Sequence, residues 1–139
     1  MPKSDSILAH ADLPQPAFLC SHTTVGLEAA WVEVAGELDI ATTPQLERTL
    51  LEAAQQTRLV VLDLRDVSFM DCSGVYVIVA ASRRARQGGC RLVLLRAPPN
   101  VDRMFALTGH TDAVEIADGD PGEPPAQALG HLTDAGRAR

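Results

Sequence analysis

Aromatic residues are nearly absent from this chain: one Trp, one Tyr and three Phe among 139 residues. The core therefore has to be assembled from Val, Leu, Ile and Ala, a bias that suits strands covered by helices. Cysteine is equally sparse. Cys20, Cys72 and Cys90 are odd in number, widely spaced and include no C-x-x-C, which argues against a disulfide framework and against a zinc site. Positive charge is short as well: 12 Lys and Arg against 18 Asp and Glu give a formal net charge of −6. Nucleic acid and anionic membrane both need a basic footprint, so neither is an expected partner, whereas a basic protein surface is compatible. No apolar run approaches the roughly 20 residues of a membrane helix. Residues 1–18 lack the basic-then-apolar pattern of a signal peptide. There is no G-x-G-x-x-G, no P-loop, and no His or Cys pair at metal-ligand spacing. The reading is a cytoplasmic protein of a reducing compartment, without metal or cofactor.

What is present is a hydrophobic fraction of 46%, ample for one globular core. Residues 1–16 are polar and carry Pro2, Pro14 and Pro16, so they read as a flexible arm. Residues 118–125 are a turn-rich break, followed by a short helix expected at 126–132 and a frayed end. Between these tails, elements alternate. Strands are expected at 18–24 and 30–34, with a loop around Gly26. LVVLDL at 59–64 and RLVLL at 91–95 are continuous apolar runs of the kind buried on both faces of a sheet. A weak last strand lies at 113–116. A helix starts with Thr43 as N-cap and Pro44 at the first position. A second runs from about Ser73 to Gln87 and stops at Gly88-Gly89, with Arg83, Arg84 and Arg86 suiting its negative end. A third spans about 100–108. Strands joined through helices imply parallel pairing, with an antiparallel pair at one edge. The fold class is α/β: one domain at 17–117, a mostly parallel mixed sheet with helices packed against it.

The segment Asp63-Leu64-Arg65-Asp66-Val67-Ser68-Phe69-Met70-Asp71-Cys72-Ser73-Gly74-Val75 is the most informative. A strand ending near Leu64, a loop, and a helix opening near Ser73 place Asp71-Cys72-Ser73-Gly74 at a helix N-terminus, where backbone N–H groups lack partners. Asp71 and Ser73 read either as plain caps or as the place where an anion is held. Gly74 weakens a first turn by roughly 1 kcal/mol relative to Ala, which makes sense where something approaches the backbone closely. Turning Val75, Ile78, Val79, Ser82 and Ala85 inward leaves Tyr76, Val77 and Ala80 outward beside Ser73. Those three form either a docking patch or more core. Asp63 and Asp66 read as solvated charges at a strand end.

These residues resemble the STAS domains of bacterial anti-sigma factor antagonists. Gly36-Glu37-Leu38-Asp39 is similar to that family's segment between the second strand and the first helix. Val60 to Leu64, and Phe69 to Val75 with its D-x-S-G, are similar to its strand and phosphorylation loop. Gly88 to Leu94 and the helix ending in Thr108-Gly109 add weaker support. The resemblance implies a non-enzymatic switch in transcription regulation and stress response. The antagonist binds an anti-sigma factor with a histidine-kinase-like ATP site and frees the sigma factor. That kinase phosphorylates the loop serine, which ends binding, and a metal-dependent serine phosphatase resets it. Ser73 matches the phosphorylated serine, and Asp39 and Asp71 the flanking acidic residues. The implied contact set is Asp39, Asp71, Cys72, Ser73, Gly74, Tyr76, Val77 and Ala80, on a monomer or weak dimer.

Cys72 stands where the family commonly has Ser. It reads as a small buried residue, or as a redox-sensitive thiol at the helix start. Two other readings stay open. In one, a non-phosphorylated STAS module binds a small anion or nucleotide, or serves as a transport accessory. In the other, Ser73 is a hydrolase nucleophile. The latter lacks a G-x-S-x-G elbow, and His10, His22, His110 and His131 have no recognisable spacing to Ser73.

Overall fold

The two apolar runs LVVLDL and RLVLL lie side by side at the centre of a five-stranded sheet of order β1-β2-β3-β4-β5. The computed structural model describes residues 18–25 and 28–118. The arm expected at 1–16 and the helix expected at 126–132 lie outside the described residues. The strands are β1 (Phe18–Val25), β2 (Ala29–Leu38), β3 (Leu59–Met70), β4 (Arg91–Leu95) and β5 (Glu115–Ala117). The helices are α1 (Thr43–Gln56), α2 (Cys72–Gln87) and α3 (Pro99–Leu107), with a 3₁₀ turn at Thr111–Ala113. β1 and β2 pair antiparallel at one edge; β2-β3, β3-β4 and β4-β5 are parallel. This is the α/β architecture expected from the sequence.

Two strands outrun their apolar runs. β3 continues from Leu64 to Met70, through residues expected to form a loop, and β2 continues from Val34 to Leu38. The extensions hold each other: Ala35 faces Asp66, Gly36 faces Val67, Glu37 faces Phe69 and Leu38 faces Met70. Register shifts between Glu33 and Ala35 and between Gly36 and Glu37 absorb the irregularity, and Gly36 supplies the left-handed conformation there (φ 99°). Backbone pairing carries this segment, so its hydrophobicity pattern understates the strand. Gly36 to Leu38 therefore belong to β2, and only Asp39 follows the strand. Asp63 is correspondingly buried inside β3, not solvated at its end. Its carboxylate is held by the guanidinium of Arg65 at 3.0 Å on each oxygen. Asp66 is exposed, as expected.

All three helices pack on one face. Leu46, Leu50 and Ala53 of α1, Val75, Ile78, Val79 and Ala85 of α2, and Val101 and Phe105 of α3 share a core with Val32, Val34, Leu62, Leu64 and Leu94. Each such side chain contributes roughly 1.5–3 kcal/mol on burial. The opposite face carries a smaller apolar cluster of Trp31, Leu59, Val61, Val93 and Leu95. α1 begins one residue earlier than expected, with Thr42 as N-cap. α2 ends at Gly88-Gly89, where Gly89 adopts φ 83°.

Candidate functional site: the start of helix α2

The parallel pairing of β2 and β3 brings two loops together at the carboxyl end of the sheet, the usual place for sites in such folds. The Asp71 backbone N–H donates to the Leu38 carbonyl at 3.2 Å. That bond ties the single residue between β3 and α2 to the end of β2, so Asp39 and Asp71 leave neighbouring strands side by side.

Asp71 is the N-cap of α2, in extended conformation. Its Oδ1 accepts the Ser73 backbone N–H at 2.9 Å and also the Ser73 hydroxyl. The N–H bond satisfies one of the unpaired donors of the first turn, and the negative charge suits the helix dipole. Ser73 is half-buried, and its hydroxyl is engaged by a carboxylate, not by a histidine. Asp39 shapes its own turn. Its Oδ1 accepts N–H groups of Ala41 and Thr42, while Thr42 Oγ1 accepts the Asp39 N–H at 2.9 Å and donates to the Glu37 carbonyl.

Gly74 is buried and serves packing. A Cβ built there would lie 2.6 Å from Met70 Cγ and 3.1 Å from Leu38 Cδ2. The close approach expected at this glycine is made by the protein's own Met70 and Leu38 side chains. Cys72 is exposed, against the reading of it as a small buried residue. The first helical residue projects away from the sheet while Gly74 and Val75 face it. Tyr76 is 54% exposed, whereas Val77 and Ala80 are half-buried and Val77 packs on the core. The outward face of α2 is therefore apolar chiefly through Tyr76. His110, which follows Gly109 in the turn after α3, meets Tyr76 edge-on with ring centroids 5.5 Å apart.

Two large exposed side chains at this end stand outside the expected contact set. Ile40, next to Asp39, is 78% exposed, and Phe69, opposite Glu37 in the ladder, is 48% exposed. An isoleucine flanked by Asp39 and Ala41 in a short loop was the available signal for the first. For Phe69 there was none, because its segment read as a loop. Exposed apolar groups bordering a carboxylate-rich helix start form a surface suited to a protein partner.

The sequence profile of the STAS domain matches residues 23–119. The anti-sigma-B factor antagonist of Staphylococcus aureus (strain NCTC 8325 / PS 47) is 34% identical over 89 residues, covering 63% of this chain and 82% of that protein. The chain belongs to the STAS-domain family of anti-sigma factor antagonists. The fold of this STAS domain is also that of the anti-sigma factor antagonist SpoIIAA in its unphosphorylated form. That match has a TM-score of 0.68 and 21% identity, over 84% of this chain and 97% of that one. The Bacillus cell fate determinant SpoIIAA in its phosphorylated form aligns with a TM-score of 0.64 and 21% identity, over 82% and 99%. Members of the antagonist family are regulators and not enzymes. No helix among the described residues is long and apolar enough to cross a membrane.

Proposed function

We propose that this STAS domain binds, in the cytoplasm, an anti-sigma factor carrying a histidine-kinase-like ATP site, so that a sigma factor is freed, and that phosphorylation of Ser73 ends the binding. The observation that carries this reading is the half-buried Ser73 hydroxyl in the first turn of α2, bordered by Asp71, the Asp39 turn and exposed Ile40, Phe69 and Tyr76. Cys72, Val77 and Ala80 complete the contact surface.

The chemistry suits a switch. A phosphate on Ser73 Oγ brings about −1.5 to −2 charges and three acceptor oxygens. It replaces the proton now donated to Asp71, so a hydrogen bond becomes a repulsion between two anions. The first-turn N–H groups can turn to the phosphate, which keeps the helix start intact. A partner that matched a neutral hydroxyl beside one carboxylate then meets a dense anion that it has to desolvate. A loss of about 3 kcal/mol already exceeds a hundredfold in affinity. Reset by a metal-dependent serine phosphatase completes the cycle.

The test is incubation with the cognate anti-sigma factor and ATP, followed by peptide mass spectrometry. The expected result is one phosphate on Ser73, absent in Ser73→Ala. Complex formation without any transfer would favour a non-phosphorylated binding module instead.

A further inference from the structure

Tyr76 is the one large apolar side chain of α2 that is exposed. His110 meets it edge-on, with ring centroids 5.5 Å apart and the ring planes at 82°. The two rings come from different elements, α2 and the turn after α3. The His110 backbone is fixed at both of its polar groups. Its N–H donates to the Phe105 carbonyl at 2.8 Å, and its carbonyl accepts the Ala113 N–H at 3.0 Å. Gly109, left-handed at φ 75°, turns the chain into this position. Phe105 is itself part of the core, at 1% exposure. The imidazole therefore stands on a rigid base, while Tyr76 reaches out from a helix surface. His110 Nδ1 is buried and has no hydrogen-bond partner among the described residues. Buried polar atoms are normally paired, and an all-carbon side chain would fill this space without leaving a nitrogen unsatisfied. Packing against Tyr76, not hydrogen bonding at Nδ1, is what the ring does here.

We infer that His110 is a positioning residue for partner binding: its ring holds Tyr76 in the rotamer that the partner meets. This rests on the proposed reading of the Ser73 end as the contact surface. Tyr76 follows Ser73 by three residues, which puts both on one side of α2. Helical side chains lean toward the N-terminus, so the Tyr76 ring lies over the turn that carries Cys72 and Ser73. An exposed aromatic ring without a neighbour samples several rotamers, and docking then has to fix one of them. A ring braced beforehand avoids that loss, which for one side chain amounts to roughly three- to tenfold in affinity. Edge-to-face contact suits a brace, because it sets the positive rim of one ring against the negative face of the other. It also leaves Tyr76 54% exposed, so ring surface remains for the partner. His110 acts through Tyr76 and requires no contact of its own with the partner.

The test uses the full chain and its anti-sigma factor. In the free protein, three-bond NMR couplings of Tyr76 should report a single χ1 rotamer. His110→Ala should average them, whereas His110→Phe, which keeps an aromatic edge, should preserve the single rotamer. In calorimetric titration, His110→Ala should bind roughly three- to tenfold more weakly, with His110→Phe close to wild type. Added to Tyr76→Ala, the His110→Ala substitution should change affinity no further. Circular dichroism checks that each variant is folded. A single Tyr76 rotamer in His110→Ala, or wild-type affinity in it, would overturn the inference. So would a loss that persists on the Tyr76→Ala background, since His110 would then act by its own contact. Absence of binding by the wild-type protein would instead sink the proposed function, while the couplings would still decide whether His110 holds Tyr76.

Discussion

One carboxylate oxygen, Asp71 Oδ1, accepts both the backbone N–H and the hydroxyl of Ser73. The same atom caps α2 and fixes the rotamer of the residue proposed to be phosphorylated. Structure and switching are thus coupled through a single side chain, and substitutions at Asp71 separate the two roles. Asp71→Ala removes the cap and should cost about 1 kcal/mol of stability, whereas Asp71→Asn keeps a capping oxygen and should stay within a few tenths of wild type. Urea unfolding followed by circular dichroism measures both. Equal losses in the two variants would contradict the capping role.

Gly74→Ala should destabilise. Helix propensity favours Ala by roughly 1 kcal/mol, but the new Cβ would sit 2.6 Å from Met70 Cγ and 3.0 Å from its Sδ. Overpacking of this kind costs about 1–3 kcal/mol, so the net effect should be a loss. Met70→Ala in the same chain should relieve it, giving a favourable coupling in a double-mutant cycle measured by urea unfolding. Additivity of the two substitutions would show that the glycine is needed for another reason.

The three thiols should differ in reactivity. Cys72 is exposed at the start of α2. Burial raises the thiol pKa of Cys20, opposed by a hydrogen bond to Thr49, and raises that of Cys90, opposed by Thr57 and the Val60 backbone. A raised thiol pKa means less thiolate near neutral pH, hence slower alkylation. Iodoacetamide at pH 7.5 should modify Cys72 first, with Cys20 and Cys90 reacting only as pH rises or the chain unfolds. Mass spectrometry over time reads this order, and prior labelling of Cys20 or Cys90 would contradict it.

Tyr76→Ala and Ile40→Ala should each weaken binding to the anti-sigma factor by more than about 1 kcal/mol, the scale of aromatic and aliphatic anchors at interfaces. Both side chains are largely exposed, so folding stability should stay within about 0.5 kcal/mol of wild type. Calorimetric titration paired with thermal unfolding separates the two effects. Unchanged affinity in both variants would move the contact surface elsewhere.

The elements legible in the sequence were those whose side chains state their own burial. LVVLDL and RLVLL announced central strands, and Val75, Ile78, Val79, Ser82 and Ala85 were correctly turned inward on α2. The continuation of β3 through Arg65, Asp66 and Ser68 was hidden, because it depends on backbone pairing with β2 across two register shifts. The same ladder buries Asp63 inside β3 and sets Phe69 opposite Glu37. Ser73 and Asp71 were legible as a helix start. That Gly74 faces Met70, and Cys72 faces solvent, required knowing where the helix phase begins to within one residue.

The most direct test of the central claim is the affinity of the anti-sigma factor for this STAS domain before and after stoichiometric phosphorylation of Ser73, measured at one salt concentration. The account predicts a loss of a hundredfold or more, corresponding to about 3 kcal/mol, with the circular dichroism spectrum unchanged. Equal affinity of the two forms would contradict it.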